Sequence, residues 1–66
     1  MNSYEVQYRL PSGWVTLASI SGDHPLAGAR RFRTRYAQQL ADRPACNGRF
    51  VASDFSKLMR IKRVVP

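Results

Sequence analysis

Sixty-six residues, 44% hydrophobic and 23% charged, fit one globular domain over residues 1–66 and exclude a disordered chain. Eleven Lys and Arg against four Asp and Glu give a net charge of +7, which points to a polyanionic partner. The single cysteine, Cys46, excludes an intrachain disulfide, and no apolar run approaches the roughly 20 residues that span a bilayer, so no membrane partner is expected.

Residues 3–10, Ser-Tyr-Glu-Val-Gln-Tyr-Arg-Leu, alternate strictly. Tyr4, Val6, Tyr8 and Leu10 fall on one side, and Glu5, Gln7 and Arg9 on the other, which predicts a half-buried strand. Pro11-Ser12-Gly13 reads as a three-residue hairpin loop with glycine at the left-handed position. A second strand from Trp14 to about Ile20 then pairs Leu10 with Trp14, Tyr8 with Thr16, Val6 with Ala18 and Tyr4 with Ile20. A two-residue loop would shift that register by one and turn Val15 and Leu17 inward instead.

Pro25 suits the first helical position, with His24 as the N-cap. The helix is predicted to run to about Asp42, where Arg43-Pro44 ends it. Leu26, Ala29, Phe32, Tyr36, Ala37 and Leu40 share one face of a 3.6-residue wheel, and Arg31, Arg35, Gln38 and Asp42 share the other. Arg33 breaks the pattern, because it falls inside the apolar arc.

Asn47-Gly48 marks a turn. Arg49 to about Ala52 reads as a short strand, followed by a turn with Ser53 as its cap. Leu58 to Val65 reads as the last strand, with a short helix over residues 54–60 as the alternative. The fold class is therefore α+β: an antiparallel sheet of three or four strands, in the order ββαβ(β), with one amphipathic helix packed on one face.

The charge is lopsided. Residues 1–29 hold only Arg9 against Glu5 and Asp23, whereas residues 30–66 hold ten cations against Asp42 and Asp54, a balance of +8. Nine of the eleven cations are Arg, whose planar fork suits phosphate, although a GC-rich genome also writes Arg for Lys. One cluster is helical, Arg30, Arg31, Arg33 and Arg35. The other is C-terminal, Lys57, Arg60, Lys62 and Arg63.

In a ββαβ layout the helix covers one sheet face, so Arg31 and Arg35 lie on the opposite side of the molecule from Arg60 and Lys62. Two patches are expected rather than one groove. Arg30, Arg31, Arg35, Arg60, Lys62 and Arg63 are the candidate contacts to nucleic acid or to an acidic protein. Arg33 and Trp14 are candidate partner or homodimer contacts. Arg33 needs its head at the rim, a buried acid such as Asp54 or Glu5, or a second subunit. Tyr4, Tyr8, Phe32 and Tyr36 read as core aromatics, and Trp14 as core or core rim.

No catalytic constellation, phosphate-binding glycine loop or metal motif is present, so neither enzymatic activity nor a cofactor is expected. His24 and Cys46 cannot build a four-ligand zinc site from one chain. The N-terminus lacks the regions of a signal peptide, and the chain reads as a complete small open reading frame of the cytoplasm. The leading expectation is a non-enzymatic nucleic-acid-binding protein that works through phosphate contacts. The alternative is an interaction module, an adaptor or inhibitor encoded by a phage or other mobile element, docking on an acidic host protein.

Overall fold

A computed structural model describes residues 2–64. The chain forms an antiparallel hairpin, a long helix, a short helix and a final strand. These are β1 (Ser3–Leu10), β2 (Gly13–Ser21), α1 (Pro25–Ala41), α2 (Ala52–Ser56) and β3 (Met59–Val64), with a 3-10 turn at Pro44–Cys46. The strands make one antiparallel sheet of order β2-β1-β3, with α1 packed against it. The α+β class and the ββαβ order expected from the sequence are thus observed, with three strands.

The hairpin contains both of the alternative registers. Leu10 pairs with Gly13, Arg9 with Trp14, and Tyr8 with Val15, the arrangement of a two-residue loop. Beyond a bulge the pairing becomes Val6 with Ala18 and Tyr4 with Ile20, the arrangement of a three-residue loop. Gln7 pairs with Thr16, so Leu17 is the inserted residue. A bulge opposes two residues on one strand to one on its partner, which restores the parity that the turn had shifted. Val15 and Leu17 therefore both face the helix side. Gly13 takes φ +129 and Gly22 takes φ +120, conformations that glycine tolerates best, at the two ends of β2.

Among the described residues the buried apolar core is small: Val6, Ala29, Ala37 and Met59. Tyr4, Tyr8, Leu17, Ile20, Phe32, Tyr36, Phe55 and Ile61 pack around it as partly buried side chains. Phe32 and Tyr36 stack with ring centroids 5.7 Å apart, as their one-turn spacing on the apolar face allows. Burying Val6 completely stabilises the fold by about 1.5–3 kcal/mol.

Gly28 lets α1 approach β2 closely. A Cβ there would stand 2.9 Å from Ile20 Cγ2. The helix begins at Pro25 after His24, as its Pro signal requires, and closes with Asp42 N–H donating to the Gln38 carbonyl and Arg43 N–H to the Leu40 carbonyl.

The C-terminal third departs from expectation. Arg49 to Ala52 forms no strand. Phe50 and Val51 are exposed, and Ala52 opens α2. Both edges of β1 are already occupied, by β2 and β3, so another strand here finds no partner on it. The cap also differs, for Val51 rather than Ser53 precedes the helix, and its N–H donates to the Asp54 carboxylate at 2.9 Å. The two alternatives for residues 54–60 divide the segment between them: α2 ends at Ser56 and β3 starts at Met59. Val65, the expected end of the last strand, lies outside the described residues.

Candidate binding surface on the open sheet face

Alternation in the three strands places one set of side chains away from α1. On the central strand these are Glu5, Gln7 and Arg9. Their cross-strand neighbours are Ser19, Thr16 and Trp14 on β2, and Lys62 opposite Glu5 and Arg60 opposite Gln7 on β3. Three cations thus share this face with one carboxylate.

Gln7 is the hub of the face. It is a buried polar residue in the middle strand, 8% exposed. Its side-chain carbonyl accepts a short hydrogen bond, 2.6 Å, from Arg60 Nε. Its amide nitrogen lies 3.3 Å from Glu5 Oε1 and 3.4 Å from Thr16 Oγ1, long contacts that orient the amide. A buried amide is costly without partners, and here both ends have them.

Arg60 reaches across the whole sheet. From β3 it bonds to Gln7 on β1, and its guanidinium carbon stands over the Trp14 ring of β2, 4.0 Å from the centroid. Cation–π contacts of this kind contribute about 0.5–1 kcal/mol at an exposed site. Only Nε is used for Gln7. The four terminal N–H donors have no hydrogen-bond partner among the described residues, and they form the planar fork that recognises phosphate or carboxylate in two parallel bonds.

Trp14 is therefore not a core residue. The register shift at the turn pairs it with Arg9 instead of Leu10 and turns it to the open face, where it is 40% exposed. Gln7 was not among the residues singled out from the sequence. Its signal was its place between Glu5 and Arg9 on a polar strand face.

The other candidates lie elsewhere. Arg30, Arg31 and Arg35 are exposed on α1, which covers the opposite side of the sheet. Arg63 pairs with Tyr4, so its position shares the helix side of β3 rather than the side of Arg60 and Lys62. Its Nη2 donates to Asn2 Oδ1 at 3.2 Å. Arg33 is half-buried and makes no hydrogen bond or ion pair among the described residues. The two acids suggested for it are engaged elsewhere, Asp54 with the Val51 N–H and Glu5 with Gln7.

Cys46 sits in its turn with its thiol 3.1 Å from the Leu40 carbonyl. Among the described residues no group of three or more His, Cys, Asp and Glu side chains is placed to hold a metal ion. No helix is long and apolar enough to cross a membrane. No family model, curated protein or solved structure matches the chain.

Proposed function

We propose that the chain is a non-enzymatic, cytoplasmic nucleic-acid-binding protein that contacts phosphates through its open sheet face. The carrying observation is Arg60, held across the sheet by Gln7 and Trp14 with its terminal fork free. An arginine fixed before binding loses less side-chain freedom on contact than a solvated one. Arg9 and Lys62 flank it on the same face and add reach along a phosphate backbone. Arg30, Arg31 and Arg35 supply a second, long-range field from the far side of the molecule.

Phosphate-driven binding is strongest at low salt. Mobility shifts with single-stranded and duplex oligonucleotides at about 50 mM salt should show complexes that weaken as salt rises. Absence of any complex under those conditions defeats the reading.

A second reading, an interaction module for an acidic protein, draws on a different place. Phe50, Val51 and Leu58 are 49%, 60% and 40% exposed around α2, and Phe50 packs edge-on against Phe55 with centroids 5.8 Å apart. Arg49 and Lys57 adjoin them in sequence. Apolar anchors with cations next to them in sequence suit an acidic amphipathic surface. A stoichiometric protein partner that survives nuclease treatment of a lysate, and is lost on Phe50→Ser, supports this reading against the first.

A further inference from the structure

The two edges of the sheet differ in charge. β3, one edge, carries Arg60, Lys62 and Arg63. β2, the other, is nine residues long and carries no charged side chain. Charges on an edge strand oppose pairing with another molecule, and an uncharged edge invites it. β2 hydrogen-bonds only to β1 within the sheet, and among the described residues no turn, loop or cap hydrogen bond reaches Gly13–Ser21.

The neutrality extends beyond the strand. Residues 10–29 contain no Lys or Arg, and Asp23 is their single formal charge. Two chains of net charge +7 repel over most approaches; β2 itself adds no cation at this edge, and the Arg60 guanidinium that reaches it lies over the Trp14 ring on the open face. The same edge borders an open apolar groove of about 270 Å³, lined by Tyr8, Leu10, Val15, Leu17, Tyr36 and Leu40. Leu10 and Val15 are each 39% exposed there.

The molecule is elongated, 41 × 26 × 14 Å, and exposes more surface than a compact one. The chain exposes 4980 Å². A compact monomer of its mass exposes about 4250 Å², so the excess is roughly 700 Å². A stable interface buries about 800 Å² per partner.

We infer that two copies of the chain associate through the outer edge of β2, antiparallel, to form one six-stranded sheet of order β3-β1-β2-β2-β1-β3. The bulge at Leu17 interrupts the edge, so pairing runs over residues 14–16, with Val15 opposite its own copy and Trp14 opposite Thr16, beside the groove. A twofold axis normal to the sheet relates the copies and keeps both helices on one side. The two open faces then become one surface, with an Arg60 fork on each half. The inference does not depend on nucleic-acid binding.

The test is made on the full chain without nucleic acid. Sedimentation velocity at about 0.15 M salt, a physiological ionic strength, should show a concentration-dependent shift from 7.5 kDa to twice that mass. Val15→Lys should raise the dimer dissociation constant at least about tenfold by setting like charges against each other. In a mixture of labelled and unlabelled chains, intermolecular nuclear Overhauser contacts should fall within residues 14–16; this readout needs no variant and so survives a misfolded Val15→Lys. A strict monomer at high concentration, or a dimer whose intermolecular contacts lie outside β2, overturns the proposal.

Discussion

Arg60 Nε donates to the Gln7 side-chain carbonyl at 2.6 Å, joining residues 53 positions apart on neighbouring strands. The bond fixes the guanidinium over Trp14 and leaves its terminal edge toward solvent. Its effect is on order rather than on stability. A hydrogen bond to a charged group contributes about 1.5–3 kcal/mol, and less where water competes, as at this exposed arginine.

Replacing Gln7 with leucine tests that role. The side chain keeps an apolar volume in the middle of the sheet but loses the acceptor for Arg60. Thermal unfolding should show a stability change within about 2 kcal/mol. Oligonucleotide affinity should fall by about three- to tenfold, because the freed arginine must be ordered on binding. Unchanged affinity would show that the Arg60–Gln7 bond does not prepare the site.

Deletion of Leu17 tests the bulge. Val6–Ala18 and Gln7–Thr16 already flank it, so removing the inserted residue leaves a continuous alternation along β2. The chain should fold with the same strand order. It should lose about 1–2 kcal/mol, since a half-buried leucine leaves the groove. Failure to fold would mean that the bend at the bulge, and not only the parity it restores, is required for α1 to pack.

Gly28→Ala should destabilise, although alanine is ordinarily the better helix former by about 1 kcal/mol. The new Cβ meets Ile20 Cγ2 at 2.9 Å, and that methyl branches directly from the Ile20 Cβ and cannot swing away cheaply. A loss of about 1–3 kcal/mol is expected from overpacking. Adding Ile20→Ala should make the pair of changes less costly than their sum, as a double-mutant cycle in denaturant would show.

Arg33→Met separates packing from partnership. The arginine is half-buried and unpaired among the described residues, so its stem covers apolar surface while its head is hydrated. Methionine keeps the stem and removes the charge. Stability should stay the same or rise by up to about 1 kcal/mol. A loss above that size, seen only at concentrations where the chain self-associates, would assign Arg33 to a subunit contact.

Much of the fold was legible because half-buried elements write their period into the sequence. β1 alternates over all eight residues, and α1 repeats Ala29, Phe32, Tyr36, Ala37 and Leu40 at helical spacing. The bulge was not legible. Leu17 and Ala18 are adjacent apolar residues, and Pro11-Ser12-Gly13 accommodates either loop length, so local sequence fits both registers. Phe55, Leu58 and Met59 likewise suit a helix or a strand, and the boundary between α2 and β3 is set by where β3 meets β1. Phe50 and Val51 are good strand formers that tertiary structure leaves exposed. The site was half legible. Arg9, Arg60 and Lys62 fall on one face by parity alone. The Gln7 anchor and the outward Trp14 follow only from strand order and register.

Trp14 is the chain's one tryptophan and lies at the proposed site, so its fluorescence reports binding there directly. The deciding measurement is a titration of Trp14 emission with single-stranded and duplex oligonucleotides at about 50 mM salt, repeated at higher salt. It compares the wild-type chain with Arg60→Ala/Lys62→Ala and with Arg31→Ala/Arg35→Ala. Saturable binding with a salt slope near −0.7 to −0.9 per phosphate neutralised is expected, shallower by about 1.4–1.8 in the sheet-face variant and weaker there by at least about tenfold. The helix variant should lose less. No binding at low salt, or binding lost in the helix variant and kept in the sheet-face variant, would contradict the account.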